Sequence, residues 1–356
     1  MPQSASSLKS SGPAPSLLTA VRQPLRVVDV TQVRAAPLTN TPDPGAVAFA
    51  ARYAPSFYLD VGTACPMHCI YCSVERGPDD KDVRMEAREH LYQRMADAEA
   101  VGIRKLAFIG GEAASRTDLL HLCDVALAMG FAEITLTTKS VKLARPAFVT
   151  SLRDHRVTLV HFSLDSFDPA VLATHLASTS APKQLLAGLH ELLRQGVDVF
   201  LYIVLTRHSL PGLSAYVAEV ARLQTQYGVT LPVVVTPLKL QSRADRNKDA
   251  ILPSLTDVAA HLRTASALAA DRGVTLLHKS LPLCVVPELR HLALETYLEE
   301  GRLLVGSAEP LQAFRGNAVR QHAGCATCAA AEDCPGVDQV YTQVYGWDEF
   351  VPLSPT

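Results

Sequence analysis

Between Ser56 and Leu238, short apolar runs alternate with stretches of helical spacing, and few architectures accept that pattern. The runs are Phe57–Val61, Lys105–Ile109, Glu133–Thr138, Thr158–Ser163, Asp198–Thr206 and Leu231–Pro237. Each is rich in Val, Ile, Leu and Phe, as expected of strands buried on both faces. Between them, Leu91, Met95, Ala98 and Val101 share one helical face that ends at Gly102. Leu185, Leu186, Leu189 and Leu193 repeat the pattern and end at Gly196. A glycine just past a periodic stretch suits the left-handed position that closes a helix. Strand–helix repetition with short links predicts an α/β fold, a parallel sheet covered by helices.

The 356 residues suffice for one large domain with a small appendage. The formal net charge of −2 gives no basic excess for a nucleic-acid partner. No apolar run is long enough for a membrane span, and no basic and apolar leader of the secretory type is evident. Residues 1 to about 25 are rich in Ser, Pro and Ala, a composition that buries little and predicts disorder. Residues 26–52 read as a lead-in strand or helix. The expected organisation is an extension over 1–48, the main domain over 49–240, a helical and strand connection over 241–280 and a cysteine-rich domain over 281–356.

Eight cysteines are unevenly clustered, which fits metal chemistry in a reducing, cytoplasmic setting better than a disulfide framework. Cys65, Cys69 and Cys72 lie in Cys65-Pro-Met-His-Cys-Ile-Tyr-Cys72, just after the first predicted strand. Three thiolates can hold three irons of a cubane and leave the fourth open, whereas a closed cluster takes four cysteines. The bland alternatives are a zinc knuckle short of one ligand and scattered core cysteines. Clustering within eight residues of a polar loop favours the open cluster. His68, inside the loop, is expected to be exposed. Cys123, in register with Leu119 and Ala126, reads as a core residue.

These residues resemble the radical S-adenosylmethionine (radical SAM) superfamily. The resemblance rests on Cys65, Cys69, Tyr71 and Cys72, and on Phe108-Ile-Gly-Gly-Glu112 after the second strand. It implies a partial (β/α)6 barrel of the TIM type, with both motifs at the mouth formed by the strands' C-terminal ends. It also implies a [4Fe–4S] cluster, S-adenosylmethionine, and a low-potential electron donor such as flavodoxin or ferredoxin. Gly110, Gly111 and Glu112 match the motif that holds the cofactor's amino group. Tyr71 matches the aromatic whose backbone lies near the adenine. Ser163 and Asp165 match a Ser-x-Asp at the cofactor's polar end, although they also read as turn chemistry. Thr206 and Arg207, ending the fifth strand, are candidates for the methionine carboxylate, with Arg207 equally readable as a surface charge. Leu238 is a candidate for apolar contact with adenine. Thr138 and Lys139 face the same mouth without an assigned role.

A second group, Cys284, Cys325, Cys328 and Cys334, is a complete four-thiolate set. On spacing alone it fits zinc or a cluster. The C-x2-C-x5-C run with a Tyr-rich end resembles the Twitch and SPASM extensions of radical SAM maturases. That resemblance implies one auxiliary iron–sulfur cluster. No motif names the substrate, and the analogy leans towards a peptide over a small molecule. A non-enzymatic iron–sulfur or zinc scaffold is the rival class, and the Gly-Gly-Glu carboxylate argues against it.

Overall fold

A computed structural model of the chain describes residues 43–53, 57–74, 81–297, 304–306, 312–313, 318–319 and 323–354. The disorder expected of residues 1 to about 25 lies outside the described residues.

Six strands form where the apolar runs lie: β1 (Phe57–Asp60), β2 (Lys105–Ile109), β3 (Glu133–Thr138), β4 (Val157–Ser163), β5 (Asp198–Leu205) and β6 (Val233–Pro237). All pair in parallel in sequence order. The sheet does not end at residue 240. The segment expected to be a connection contributes β7 (Leu276–His278), parallel to β6. On the opposite edge β8 (Leu304–Gly306) pairs in parallel with β1, and β9 (Gln312–Ala313) runs antiparallel to β8. The order β7-β6-β5-β4-β3-β2-β1-β8-β9 is an open sheet, a partial barrel.

Crossover helices lie between the strands: α2 (Arg88–Ala100), α3 (Leu119–Ala128), α4 (Pro146–Asp154), α5 (Pro169–Leu176), α6 (Ala181–Arg194), α7 (Leu213–Tyr227) and α10 (Leu255–Arg272). Two short helices, α8 (Ser242–Arg246) and α9 (Lys248–Ile251), precede α10. Leu91, Met95 and Ala98 of α2 and Leu185, Leu189 and Leu193 of α6 are buried, as their spacing requires, and Cys123 is buried with them. Val101 is exposed because α2 has already closed there, with Gly102 at φ 85°.

Strand side chains alternate between two faces. Leu201, Ile203, Val233 and Val235 belong to the core that holds the helices. Leu159, Phe200, Val234 and Leu277 form a separate cluster with Ala46, Phe49 and Ala50 of α1 (Pro44–Tyr53). Phe49 meets Phe200 edge-on at 5.3 Å. The lead-in therefore includes a helix that packs on the inner face of the sheet.

The C-terminal segment is fastened to the ends of the later strands. It carries a two-residue antiparallel pair, β10 (Ala318–Val319) with β11 (Val337–Asp338), and α11 (Gln339–Tyr345). The Asp338 carboxylate accepts from Leu240 N–H at 3.1 Å. Tyr341 hydroxyl accepts from Leu255 N–H at 2.7 Å, and Tyr345 hydroxyl donates to the Leu252 carbonyl at 2.9 Å.

Candidate active site at the barrel mouth

The loop after β1 carries Cys65, Cys69 and Cys72, and its backbone is held from several sides. Ile70 N–H donates to His175 O at 2.9 Å, the Asn247 amide donates to Ile70 O at 2.7 Å, and Ala244 N–H donates to Cys72 O at 3.2 Å. The turn after β2 lies directly against it. Gly111 N–H donates to Gly62 O at 2.7 Å and Glu112 N–H to Ala64 O at 2.9 Å. This close approach is why two glycines are needed. A Cβ on Gly111 would come within 2.3 Å of Ala64 O, and one on Gly110, at φ 123°, within 2.6 Å of Gly62 O. The spacing that joined the two motifs in the sequence is thus a backbone contact in the fold.

One cavity of ≈ 400 Å³ opens above these loops. Cys65, Cys69, Tyr71, Cys72, Gly110, Gly111, Glu112, Ser163 and Leu238 all line it. The three cysteines are partly exposed and form no disulfide, and Met67 N–H donates to Cys65 Sγ at 3.4 Å. Burial pushes the Cys69 thiol up to about 11 against the lowering effect of the Lys139 charge.

Glu112 is almost wholly buried. Its Oε1 accepts from Ala114 N–H at 3.0 Å and from Thr138 hydroxyl at 2.5 Å, and its Oε2 from Lys139 N–H at 2.8 Å. Burial raises its pKa, and these three donors oppose the rise. The carboxylate is held in one orientation at the cavity wall.

Asp165 does not line the cavity but supports it from below. Its Oδ2 accepts from Lys139 Nζ at 2.5 Å and from the Tyr71 hydroxyl, which also accepts from Lys139 Nζ. Its Oδ1 accepts from Val204 N–H at 3.1 Å, and His175 Nδ1 lies 3.5 Å from Oδ2. Burial alone would raise the Asp165 pKa; Lys139 and His175 outweigh it and hold the carboxyl well below the usual range. Lys139 is likewise held charged: burial would lower its pKa, but Asp165 and Cys69 raise it.

The fold does not bring Thr206 and Arg207 to the cavity. Thr206 is fully buried, and its hydroxyl bonds His175 Nε2 at 2.8 Å and accepts from Ser209 N–H at 3.1 Å. It caps the turn after β5. Arg207 donates to Asp249 O at 3.0 Å and to Tyr345 hydroxyl at 2.9 Å, fastening the C-terminal segment. His68 is exposed. Three cavity-lining or supporting groups carried no assigned role in the sequence: Lys139, His175 and Lys279. Lys139 and Lys279 each follow the last residue of a strand, and that position is the signal that marks them.

The second group, Cys284, Cys325, Cys328 and Cys334, gathers around a smaller cavity of ≈ 40 Å³ walled by Pro282, Trp347 and Phe350. Leu353 N–H donates to Cys328 Sγ at 3.3 Å and Gly336 N–H to Cys334 Sγ at 3.4 Å. Burial, with Cys334 and Cys328 nearby, pushes the Cys284 thiol up to about 12. Among the described residues, no three His, Cys, Asp or Glu side chains converge closely enough to hold one metal ion.

Residues 59–214, which run from β1 to the start of α7, match the family described as the Radical SAM superfamily. That stretch is a radical SAM domain. A [4Fe–4S] cluster and S-adenosylmethionine are the cofactors of that family. Among curated relatives, a probable GTP 3',8-cyclase of Methanopyrus kandleri is 29% identical over 48% of this chain and 53% of its own length. A GTP 3',8-cyclase of Pseudomonas entomophila is 33% identical over 37% of this chain and 39% of its own. The chain spans about half or less of the curated relatives it matches. Among solved structures, Streptococcus suis SuiB bound to precursor peptide SuiA superposes with a TM-score of 0.60 over 84% of this chain and 76% of that one, at 13% identity. SuiB bound to S-adenosylmethionine gives 0.57 over 85% and 76%. The likeness is one of fold. No helix among the described residues is long and apolar enough to cross a membrane.

Proposed function

We propose that the chain is a radical SAM enzyme acting on an organic substrate in the cavity at the barrel mouth. The observation that carries this reading is the convergence of Cys65, Cys69, Cys72 and Glu112 on one ≈ 400 Å³ cavity lined by the ends of several strands. Three thiols in a loop that carries no fourth cysteine suit a cubane with one open iron, and so fit the family's cluster. When bound and reduced, that cluster supplies the electron that splits S-adenosylmethionine into methionine and a 5′-deoxyadenosyl radical, which takes a hydrogen atom from substrate.

The chain's own residues bind and orient. Glu112 is fixed by three donors and receives the ammonium of the methionine moiety. Ser163 offers a hydroxyl on the cavity wall, and Leu238 an apolar surface for the adenine. Lys139 places a held positive charge near the cysteine loop, where it favours thiolate. Tyr71 and Asp165 keep that charge in position. The electron comes from a low-potential donor of the flavodoxin or ferredoxin kind, in a reducing cytoplasm.

Cys284, Cys325, Cys328 and Cys334 hold an auxiliary iron–sulfur cluster in this reading. The four thiols that line the second cavity are a complete ligand set for such a cluster, and the likeness of their spacing to Twitch and SPASM extensions favours it over zinc. The substrate is a peptide or a small molecule. The precursor peptide held by SuiB supports the first and the GTP cyclases support the second.

Anaerobic reconstitution, reduction with dithionite and addition of S-adenosylmethionine test the reading. The wild-type protein is expected to form 5′-deoxyadenosine. The triple variant of Cys65, Cys69 and Cys72 to Ala is expected to lose about four irons and all of that product. Product from the triple variant would put the radical site elsewhere.

A further inference from the structure

We propose that Asp338 is a substrate-binding residue whose carboxylate accepts a neutral amide N–H standing beside an apolar side chain, the chemistry of a peptide unit. The inference rests on reading the mouth as the substrate cavity and deepens it by naming the group the substrate presents there.

Two carboxylates among the described residues line the ≈ 400 Å³ cavity, Glu112 and Asp338. Glu112 serves the cofactor's ammonium in that reading, which leaves Asp338 for the substrate. Asp338 comes from the C-terminal segment and follows Val337, which lines the mouth and the second cavity alike. It therefore stands on the side of the mouth that borders the second cysteine group. It is tied to the backbone after β6, whereas Glu112 follows β2, so β3, β4 and β5 lie between the two attachments.

The carboxylate is held in place with acceptor capacity to spare. Its Oδ1 accepts from Val340 N–H at 2.9 Å, capping α11, and its Oδ2 accepts from Leu240 N–H at 3.1 Å. No Lys, Arg or His among the described residues is in ion-pair contact with it. Each carboxylate oxygen has two lone pairs, so each can take one donor more. Asp338 is half-buried, and a substrate donor replaces the hydrogen bond that water would otherwise supply.

The surroundings select the kind of donor. Leu252, Leu255, Pro282 and Val337 line the cavity with Asp338. Leu255 N–H donates to the Tyr341 hydroxyl and the Tyr345 hydroxyl donates to Leu252 O, so the helix that Asp338 caps is fastened to this apolar stretch. Pro282 borders both cavities, as Val337 does. An ammonium set against such a wall loses far more hydration than an amide N–H does. A neutral N–H with an apolar side chain next to it satisfies the carboxylate and the wall together.

Equilibrium dialysis of the reconstituted protein, saturated with S-adenosylmethionine, tests the assignment. The probe is N-acetyl-leucine dimethylamide, which carries one N–H and an apolar side chain. It is expected to bind, and its ester analogue, with oxygen in place of that N–H, to bind about tenfold or more weakly. N-acetyl-glycine dimethylamide is expected to bind more weakly as well. Asp338→Asn should weaken the leucine amide about tenfold or more and leave the ester unchanged. Asparagine caps a helix as well as aspartate does, and a loosened fold would weaken both probes alike. Asp271→Asn, exposed near the end of α10, should change neither. Failure of the leucine amide to bind, equal loss of both probes in Asp338→Asn, or glycine binding as tightly as leucine overturns the proposal. So does a loss of S-adenosylmethionine affinity in Asp338→Asn with the amide unaffected, because the carboxylate then serves the cofactor. If the amide and ester bind alike while wild type still forms 5′-deoxyadenosine, only the Asp338 assignment falls. If wild type forms no 5′-deoxyadenosine while the probes behave as expected, the radical reading falls and Asp338 remains an amide site.

Discussion

Glu112 concentrates the chemistry at the scale of one residue. It is a buried carboxylate whose two oxygens already accept three protein hydrogen bonds, so its position is set before any ligand arrives. Glu112→Gln keeps the shape but removes the charge, and its amide nitrogen must face a donor on one side or the other. A charge-assisted hydrogen bond is worth about 1.5–3 kcal/mol. Affinity for S-adenosylmethionine, read by equilibrium titration of the reconstituted protein, should fall about tenfold or more. Iron content and the cluster absorption should stay as in wild type. Unchanged affinity would remove Glu112 from the cofactor's ammonium. Glu112 was legible in the sequence because Gly-Gly-Glu follows a strand that itself follows the cysteine loop. Arg207 was not legible, because a strand-end arginine reads the same whether it turns into the mouth or out to Tyr345. Lys139 was half legible: its strand-end position was visible, but its burial depends on Asp165, which lies 26 residues further on.

At the scale of elements, the Lys139–Asp165 pair joins parts that the sheet alone leaves separate. Lys139 follows β3, Asp165 follows β4, and Tyr71 stands in the loop after β1. Val204 of β5 donates to the same carboxylate. Removing one member of a buried pair leaves the other charge uncompensated and costs about 3–5 kcal/mol. Asp165→Asn should therefore lower the urea midpoint strongly at pH 7, and Asp165→Asn with Lys139→Met should recover part of the loss. The Asp165 carboxyl is held below its unfolded value of about 3.9. Its contribution is therefore fully present above that value and is lost as pH falls through the folded pKa. Wild type and Asp165→Asn should converge in stability in strong acid. A gap between them that stays constant down to pH 2 would show that the pair is not the cause. The strands around this pair were legible to within one or two residues, since β1 to β6 are long apolar runs. The strand expected within the 241–280 connection had no assigned place, because β7 spans only three residues, Leu276–His278, and gains its position by pairing with β6.

Across the whole molecule, two cysteine groups occupy two cavities, one at the mouth and one in the C-terminal segment. Cysteine spacing made both groups visible in the sequence. What spacing does not carry is how the second group is mounted. That depends on long-range contacts, from Asp338 to Leu240, Tyr341 to Leu255 and Arg207 to Tyr345. Pro282 and Val337 line both cavities, so the C-terminal segment forms part of the wall of the mouth. On the proposed reading, the second site has a full set of four thiol ligands and needs nothing from the first. The variant with Cys65, Cys69 and Cys72 changed to Ala should therefore still carry metal after anaerobic purification. If the auxiliary site is a cluster, that variant should be brown, with about four irons and no stoichiometric zinc. Iron and zinc analysis decides it. A colourless protein with about one zinc would mean that the four thiolates close around a single ion. The C-terminal segment would then be a structural wall of the mouth with no redox part in the reaction.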